Sequence, residues 1–389
     1  MIARVIILIV LAIVLPDLYF DSRRRRRNVK QLWWKRIVYW LPGLLMLAWA
    51  ILLAFERNFI PDDPTLLNWF LLLFGIIFIP KAIYALFTWM GRVWCRLRHS
   101  KKNWAKLIGI FIGFYCICAL IYGSTIGVRK LKVNHVDVYL SNLPASFEGY
   151  RIVHFADAHV GMFSGSMKKT LQRDIDSINA QHADVIFFTG DLINTQPSEL
   201  YPVQDMLKSL TAKDGVFSVL GNHDYAEYTE LDPAVEAANE RELIGRQRQF
   251  GWTLLLNEHR SIGRDKDSII IVGTENDGKR PALAKADMEK AFKGVKEDAF
   301  VIMLQHDPSA WRRSILPNSS AQLTLSGHTH GGQISIFGLR ASRITCAEDY
   351  GLYEQDGRYM YVTCGIGGVL PFRLGVTSEI AVITLHQKK

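Results

Sequence analysis

The stretch "LTLSGHTHGG", residues 323–332, joins an apolar run to two histidines that stand one residue apart among glycines. The apolar run predicts a buried strand, and the glycines predict a sharp turn directly after it. His328 and His330 therefore follow the end of a strand, with little other bulk around them. Two neighbouring imidazoles in such a place suit two neighbouring metal ions.

Four other apolar runs also end in side chains that can bind metal. Asp157 and His159 follow "RIVHFA", Asp191 follows "DVIFFTG", Asn222, His223 and Asp224 follow "VFSVLG", and His306 follows "AFVIMLQ". Because strand ends along one edge of a βα-type sheet converge, we expect these groups to meet in one crevice. Because side chains alternate along a strand, we also expect Asp157 with His159, and His328 with His330, to project from one face of an extended segment.

The region from residue 131 to 389 has the pattern of a globular domain, with short β-rich runs between polar helical segments. The runs predict strands at 134–140, 150–156, 184–189, 215–220, 252–257, 268–273, 299–304, 321–326, 334–337, 359–363 and 379–385. Helical periodicity covers 166–181, 197–211, 233–249 and 284–293. Strands that first alternate with helices and then crowd together predict an α/β layered sandwich.

Charge is distributed unevenly along the chain. Residues 1–130 contain 19 Lys and Arg against 5 Asp and Glu, whereas residues 131–389 contain 27 against 32. The excess of Lys and Arg lies in the first third of the chain, which is strongly apolar, and such charges typically flank membrane spans. The second part is not basic, so we expect no nucleic-acid partner. Of five cysteines, only Cys346 and Cys364 lie in the second part. A disulfide between them is one alternative, and two ordinary buried thiols are the favoured one.

Four apolar stretches are long enough to cross a bilayer, at about 2–20, 37–55, 66–87 and 104–126. They are apolar around their whole circumference and collect Trp and Tyr near their ends, which argues against buried helices of a soluble bundle. The first stretch is not a typical cleaved signal peptide, because its arginine block follows the apolar run instead of preceding it. We therefore expect a transmembrane region, 1–130, ahead of a globular domain, 131–389.

The loops between these spans carry very different charge. The first loop has eight Lys and Arg and the third has six, while the second has only Arg57, beside three acidic residues. By the positive-inside rule, both basic loops face the cytoplasm. Both termini and the globular domain then lie on the outer side, which in a bacterium is the extracytoplasmic side of the inner or plasma membrane.

Taken in order, the elements D-x-H, G-D, G-N-H-D, H and G-H-x-H at these positions resemble the calcineurin-like metallophosphoesterase superfamily. The resemblance covers about 148–385, and the form "GHTHGGQ" is similar to membrane-anchored bacterial members. It implies a four-layer α-β-β-α sandwich. It also implies a division of roles: Asp157, His159 and His330 on one metal, Asn222, His306 and His328 on a second, Asp191 bridging both, and His223 beside the phosphate as general acid or charge stabiliser, oriented by Asp224.

Such a site predicts a metal-dependent phosphoric ester hydrolase. Mixed oxygen and imidazole ligands suit two divalent ions, and Mn, Fe, Zn, Co and Ni all remain open. Paired ions lower the pKa of a shared water, so that a metal-bridging hydroxide can attack a phosphomonoester or phosphodiester. The short linker after the fourth span keeps the site near the bilayer, which favours a lipid or envelope substrate.

Other sequence features leave alternatives open. In "TCGIGGVLPFRLGVTSEI", 363–380, Arg373 reaches a substrate phosphate in one interpretation and anchors the final strand in the other. His154 falls on the opposite strand face from Asp157, so we expect it to pack in the core or to support a metal-binding residue and not to bind metal itself. His135, His182 and His259 match no motif.

Three other functions compete with the lipid hypothesis. One is an anchored phosphodiesterase or phosphatase of broad specificity. A second is an enzyme similar to UDP-diacylglucosamine pyrophosphatases, although the predicted topology counts against a cytoplasmic substrate. The third is a non-catalytic metal-binding sensor, which loss of a metal ligand would favour, and no ligand of the pattern is missing.

Overall fold

The computed structural model describes residues 2–26, 32–56, 63–225, 228 and 231–388. These residues form two compact units that divide between Ser124 and Thr125. Three predicted spans fall in the first unit, and the fourth, 104–126, extends two residues past its end; all eleven predicted strands fall in the second unit.

The first unit is built from long apolar helices. They are α1 (Ile2–Arg26), α2 (Trp33–Ala54), α3 (Thr65–Leu73), α4 (Ile79–Leu97) and α5 (Ala105–Thr125). A π-helical segment, Phe74–Phe78, joins α3 to α4 without a break. Counting that continuous helix as one, the described residues contain four helices long and apolar enough to cross a membrane. The third extends ten residues beyond the predicted 66–87, to Leu97, because its amphipathic end continues the helix past the apolar run.

The second unit contains the remaining helices and all the strands. Its strands are β1 (Leu131–Leu140), β2 (Arg151–Phe155), β3 (Val185–Thr189), β4 (Val216–Val219), β5 (Thr253–Leu254), β6 (Glu258–Arg264), β7 (Asp267–Gly273), β8 (Val301–Leu304), β9 (Leu323–Ser326), β10 (Ser335–Ile336), β11 (Leu339–Arg340), β12 (Gly351–Gln355), β13 (Arg358–Val362) and β14 (Ser378–Gln387). Its helices are α6 (Lys168–Asn179), α7 (Gln204–Lys208), α8 (Pro233–Gln249), α9 (Met288–Phe292), α10 (Leu316–Asn318) and α11 (Ser342–Thr345).

Twelve of these strands form two six-stranded sheets. One has the order β1-β14-β2-β3-β4-β5, and the other has the order β12-β13-β9-β8-β7-β6. Strands β2 to β5 run parallel to one another, as do β7, β8, β9 and β13. The carboxyl ends of the parallel strands in each sheet therefore lie along one edge.

Alternating side chains of each sheet enter different cores. In β2, Val153 packs with α6, while its neighbour Ile152 packs against the second sheet. In β8, Ile302 faces the first sheet and Met303 packs with Trp311 on the outer side. Helices thus cover the outer face of each sheet, and the two sheets bury their inner faces against each other. This is the four-layer α-β-β-α sandwich that the family resemblance implies, and it confirms the layered α/β fold expected from the order of strands and helices.

Two features of the second unit differ from the sequence prediction. The expected helix 197–211 is interrupted, as a 3₁₀ turn at Pro197–Leu200 and then α7. Pro202 lies between them, and it lacks the N–H that a continuous helix would need at that position. The prediction also missed β6, β11 and β12, which have no continuous apolar run.

Candidate metal centre

The predicted site residues meet at the carboxyl ends of five strands. The loops after β2, β3 and β4 carry Asp157 and His159, Asp191, and Asn222 with His223, and the loops after β8 and β9 carry His306 and then His328 with His330. Three groups of ligand atoms come within 4.8 Å of one another: Asp157, His159 and His330; His159, Asp191 and His223; and Asp191, His306 and His328. The expected meeting of distant segments is therefore present in the fold.

One group lies on the β2 side of the site. The rings of His159 and His330 have centroids 5.0 Å apart. Nε2 of His330 lies 3.9 Å from Oδ1 of Asp157. The Asp157 carboxylate also accepts hydrogen bonds from the backbone N–H of His328, at 3.0 and 3.1 Å. That bond ties the loop after β9 to the loop after β2, across the two sheets.

A second group lies on the β8 side. Nδ1 of His306 donates to the carbonyl of Thr189 at 2.7 Å, which leaves Nε2 facing the site. That Nε2 lies 3.1 Å from Oδ1 of Asn222, and Nδ1 of His328 lies 2.7 Å from the same oxygen. Because the Asn222 amide nitrogen donates to the hydroxyl of Tyr228 at 2.8 Å, its oxygen is directed toward the two histidines.

Asp191 lies between the two groups. Its Oδ2 is 3.5 Å from Nε2 of His159 and 3.2 Å from Nε2 of His306. Its Oδ1 accepts the backbone N–H of His223 at 2.8 Å, which fixes the carboxylate plane. Gly221 makes this approach possible, because a Cβ there would come within 2.2 Å of that same Oδ1.

The backbone of these loops is left-handed where extended chain was expected. Positive φ angles occur at Asp157 (49°), His159 (43°), Asp191 (59°), His328 (72°) and His330 (52°). The prediction that the two pairs project from extended segments was therefore wrong, because β2 and β9 end before them, at Phe155 and Ser326. Left-handed backbone is costly for residues other than glycine, and such residues concentrate at functional sites.

Burial and neighbouring charges set the protonation of the site. Burial lowers the pKa of His159 to about 3, so its ring is neutral. Burial would lower the pKa of His306 as well, but the adjacent Asp191 raises it to about 10. Burial raises the pKa of Asp157 to about 7. Burial acts in the same direction on Asp191, but His306 and His223 hold its pKa well below the usual range.

The donor set fits divalent metal. His159 is fully buried, yet neither of its ring nitrogens makes a well-formed hydrogen bond among the described residues. Nδ1 of His330 is also buried and also lacks a hydrogen-bond partner among them. A neutral, buried imidazole without partners is costly in a folded protein unless a ligand satisfies it. Imidazole nitrogen together with carboxylate and amide oxygen is the set that Mn, Fe, Zn, Co and Ni accept.

His223 lies at the edge of the site and is held by contacts that the sequence did not reveal. Its Nδ1 donates to the carbonyl of Asn194 at 2.7 Å. Its ring stacks on that of Tyr228, with centroids 4.2 Å apart and an angle of 17° between planes. Glu199 accepts the N–H of Asn194 at 2.7 Å and so holds the loop that carries this carbonyl. No motif marks Tyr228 or Glu199 in the sequence.

The expectation that Asp224 orients His223 is corrected by the structure. The Asp224 carboxylate accepts the backbone N–H groups of Gly221, Asp191, Leu192 and Ile193, at 2.9 to 3.3 Å. Four such bonds use the capacity of both oxygens. Asp224 therefore fixes the loops after β3 and β4, and Asn194 orients the imidazole.

Arg373 is also corrected as a substrate-binding residue. It is 1% exposed, and its Nη2 donates to the carbonyls of Cys364, Gly365 and Gly367, at 2.6 to 3.2 Å. The N–H of Gly367 in turn donates to the carbonyl of Asp157 at 2.8 Å. The arginine thus has an anchoring role, as in the alternative interpretation, but it holds the loop that supports Asp157 and not the final strand. Cys364 and Cys346 are separate thiols.

His154 is fully buried in β2 and lies close to a residue that supports the site. Its Nε2 lies 2.9 Å from the hydroxyl of Thr189, the residue whose carbonyl accepts from His306. It is therefore one step removed from a predicted ligand.

Comparison with known proteins agrees with this geometry. Residues 3–128 match the family "Probable Calcineurin-like phosphoesterase, transmembrane domain", and residues 150–332 match "Calcineurin-like phosphoesterase". An uncharacterized metallophosphoesterase of Helicobacter pylori is 31% identical over 300 residues, 75% of this chain and 73% of that protein. The uncharacterized metallophosphoesterase YkuE of Bacillus subtilis is 29% identical over 299 residues, 74% of this chain and 97% of that protein.

A transmembrane protein with metallophosphoesterase domain from Danio rerio is 31% identical over 278 residues, 69% of this chain but only 60% of that protein. The chain is an integral membrane protein by its four apolar helices and the transmembrane family model. Together with the sandwich fold and the cluster of histidines and carboxylates, these matches show that the chain belongs to the calcineurin-like metallophosphoesterases.

Proposed function

We propose that this protein is a membrane-bound phosphoesterase that uses two divalent metal ions to hydrolyse a phosphomonoester or phosphodiester. The observation that supports this most is the position of Asp191, with one oxygen 3.5 Å from His159 Nε2 and 3.2 Å from His306 Nε2. A carboxylate placed between two ligand groups can join metal sites that lie about 3.5–4 Å apart.

The group on the β2 side and the group on the β8 side would each hold one ion. We assign Asp157, His159 and His330 to the first, Asn222, His306 and His328 to the second, and Asp191 to both. When bound, the ions would lower the pKa of a shared water and so supply the hydroxide that attacks phosphorus. The donor set leaves their identity open among Mn, Fe, Zn, Co and Ni.

His223 has the position of a proton donor. Because Nδ1 is engaged with the Asn194 carbonyl, Nε2 is the nitrogen available to the site. A protonated ring in that place would give its Nε2 proton to the leaving oxygen as the ester bond breaks. Stacking on Tyr228 fixes the ring plane, so the proton is delivered from a defined direction.

A cleft of about 570 Å³ adjoins the β8 side of the site. Asn222 and His328 form part of its wall, and the exposed cations Lys279 and Arg280 line it farther out. Cations beyond the reacting phosphorus suit a substrate with further negative charge.

One surface feature favours a lipid among such substrates. The segment Ile334–Ile344, here called the apolar hairpin, contains β10, β11 and the turn between them. Phe337 at its tip is 100% exposed, Leu339 is 76% exposed and Ile344 is 88% exposed. Ala341 and Ser342 of the same segment line the cleft. In a protein anchored in a bilayer, an apolar surface beside the site would contact the acyl region of a phospholipid or lipid-linked phosphate.

Hydrolysis of simple esters tests the proposed activity. Full-length protein in detergent, supplied with Mn²⁺, should hydrolyse p-nitrophenyl phosphate, bis-p-nitrophenyl phosphate or both. Failure with both would overturn the enzyme assignment and leave a metal-binding sensor as the better account.

The lipid proposal has a separate test. Phe337→Ser with Leu339→Ser should slow hydrolysis of dispersed phospholipids at least about tenfold, since each apolar side chain contributes about 1.5–3 kcal/mol when buried. Hydrolysis of p-nitrophenyl esters should be unchanged. The matched control is Val235→Ser with Leu352→Ser, two exposed apolar residues outside the hairpin. Equal loss on both substrates, or faster turnover of nucleotides or phosphopeptides than of lipids, would contradict a lipid substrate.

We further propose the division of the chain and its location. Residues 1–130 form the transmembrane region and residues 131–389 the phosphoesterase domain. The two basic loops favour a bacterial inner or plasma membrane with the phosphoesterase domain on the extracytoplasmic side.

A further inference from the structure

The transmembrane unit contains a cavity of about 570 Å³ that the phosphoesterase site does not use. Six cationic side chains line it: Arg23, Arg24, Arg92, Arg96, Lys101 and Lys106. They come from the end of α1, the end of α4 and the flanks of the start of α5. Because these three helix ends share one side of the helical unit, the charges gather at the level of lipid headgroups.

No carboxylate among the described residues neutralises this cavity. The two buried aspartates of α1 are already paired, Asp17 with Lys81, and Asp21 with Arg25 and Arg36. None of those five residues lines the cavity. Six cations that face a common space without counter-charge repel one another, so an anion there would be strongly favoured.

The polar residues of the cavity wall are tied to each other. Nδ2 of Asn103 donates to the carbonyl of Thr88 at 3.0 Å, and both residues line the cavity. This hydrogen bond joins the segment before α5 to α4, so it helps to hold together two of the helix ends that carry the cations.

The cavity extends from the charged level toward the hydrocarbon. Phe20 and Tyr84 stack with centroids 5.7 Å apart and also line it. Tyr84 precedes Arg92 by eight residues on α4, which places it about 12 Å deeper along the helix axis at 1.5 Å per residue. A charged mouth above an aromatic wall matches a lipid better than a free ion. The volume lies within the usual range of ligand pockets, about 300–1,000 Å³.

We propose that this cavity binds the headgroup of an anionic phospholipid, such as phosphatidylglycerol or cardiolipin. Zwitterionic phosphatidylethanolamine is disfavoured, because its ammonium group would enter a space already lined by cations. The site is independent of ester hydrolysis and would hold its lipid whether or not the phosphoesterase site is active.

Native mass spectrometry of the full-length protein in detergent tests the proposal, with phosphatidylglycerol and phosphatidylethanolamine as probes at equal concentration. We expect phosphatidylglycerol to be retained about tenfold more. Arg92→Gln with Arg96→Gln should weaken retention about thirtyfold, since each Lys or Arg near anionic lipid contributes about fivefold. The matched control, Arg98→Gln with Lys102→Gln, removes two cations of the same loop that do not line the cavity and should change retention little.

Three results would overturn the proposal. One is equal retention of the two lipids by the wild-type protein. Another is an equal loss in the control variant, which would show only general surface charge. The third is displacement of the lipid by millimolar inorganic phosphate, which would assign the cavity to a free anion. Should the arginine variant not fold, Lys101→Gln with Lys106→Gln replaces exposed cations of the same cavity and must show the same loss of selectivity.

Discussion

At the scale of single residues, the charge of Asp191 is the feature on which the proposed site depends. It is the one carboxylate in the described site that faces both ligand groups. Neutral His159 and the amide oxygen of Asn222 contribute lone pairs without charge, so Asp157 and Asp191 together supply the negative charge of the site.

His223 supplies a prediction that separates metal binding from proton transfer. His223→Ala should retain bound metal, because His223 is assigned to neither ion, while turnover falls about 10²–10⁴-fold. The loss should be greater for phenyl phosphate than for p-nitrophenyl phosphate, whose leaving group needs less protonation. Metal content and turnover of the same variant preparation, measured together, test this prediction. A variant that loses both ions would contradict the role assigned to His223.

The meeting of the proposed metal ligands could be predicted from the sequence, whereas the contacts that hold them in place could not. Asp157, Asp191 and the histidines follow recognisable apolar runs, so their meeting could be expected from strand ends alone. Tyr228 and the Asn194 carbonyl act on His223 through stacking and through backbone. Such contacts depend on how a loop folds back, which no local pattern specifies. The role of Asp224 was misjudged for the same reason.

At the scale of elements, the central strands were predictable and the edges were not. Strands β3, β8 and β9 are buried throughout, β2 is buried after Arg151, and all four follow mainly apolar runs of sequence. Strand β6, "EHRSIGR", is mostly polar and exists because it pairs antiparallel with β7. Pairing to a neighbour supplies its order, and a single sequence window does not contain that information.

The buried histidine of β2 predicts a dependence of stability on pH. Burial lowers the pKa of His154 to about 3 from the usual 6.5. Because the folded pKa is depressed, its contribution to stability is complete above about pH 6.5 and is lost as the pH falls toward 3. His154→Gln keeps a partner for Thr189 but does not titrate. When the pH is lowered from 7 to 5, the free energy of unfolding should therefore fall by about 2 kcal/mol less in the variant than in the wild type.

Thermal unfolding of the metal-free, full-length proteins at the two pH values measures this difference. The control is His135→Gln, at an exposed histidine of the edge strand β1. A wild-type protein and His154→Gln variant that lose the same stability on acidification would show that His154 is not held neutral by the fold.

At the scale of the whole molecule, the asymmetry of the loops predicts its orientation in the membrane. Reporter fusions at the C-terminus check this in a bacterial host. A reporter active only outside the cytoplasm should give signal, and a reporter active only in the cytoplasm should not. The reverse pattern would place the phosphoesterase domain inside the cell and would restore a cytoplasmic substrate such as a UDP-linked acylated sugar.

Metal content of the full-length protein tests the central claim most directly. After reconstitution with Mn²⁺ and removal of free ions, elemental analysis should find about two ions per chain in the wild-type protein. Asp191→Asn, which keeps the shape of the side chain and removes its charge, should bind less than one ion and lose nearly all hydrolysis. A wild-type protein that binds one ion or none, or an Asp191→Asn variant that keeps two, would contradict the account.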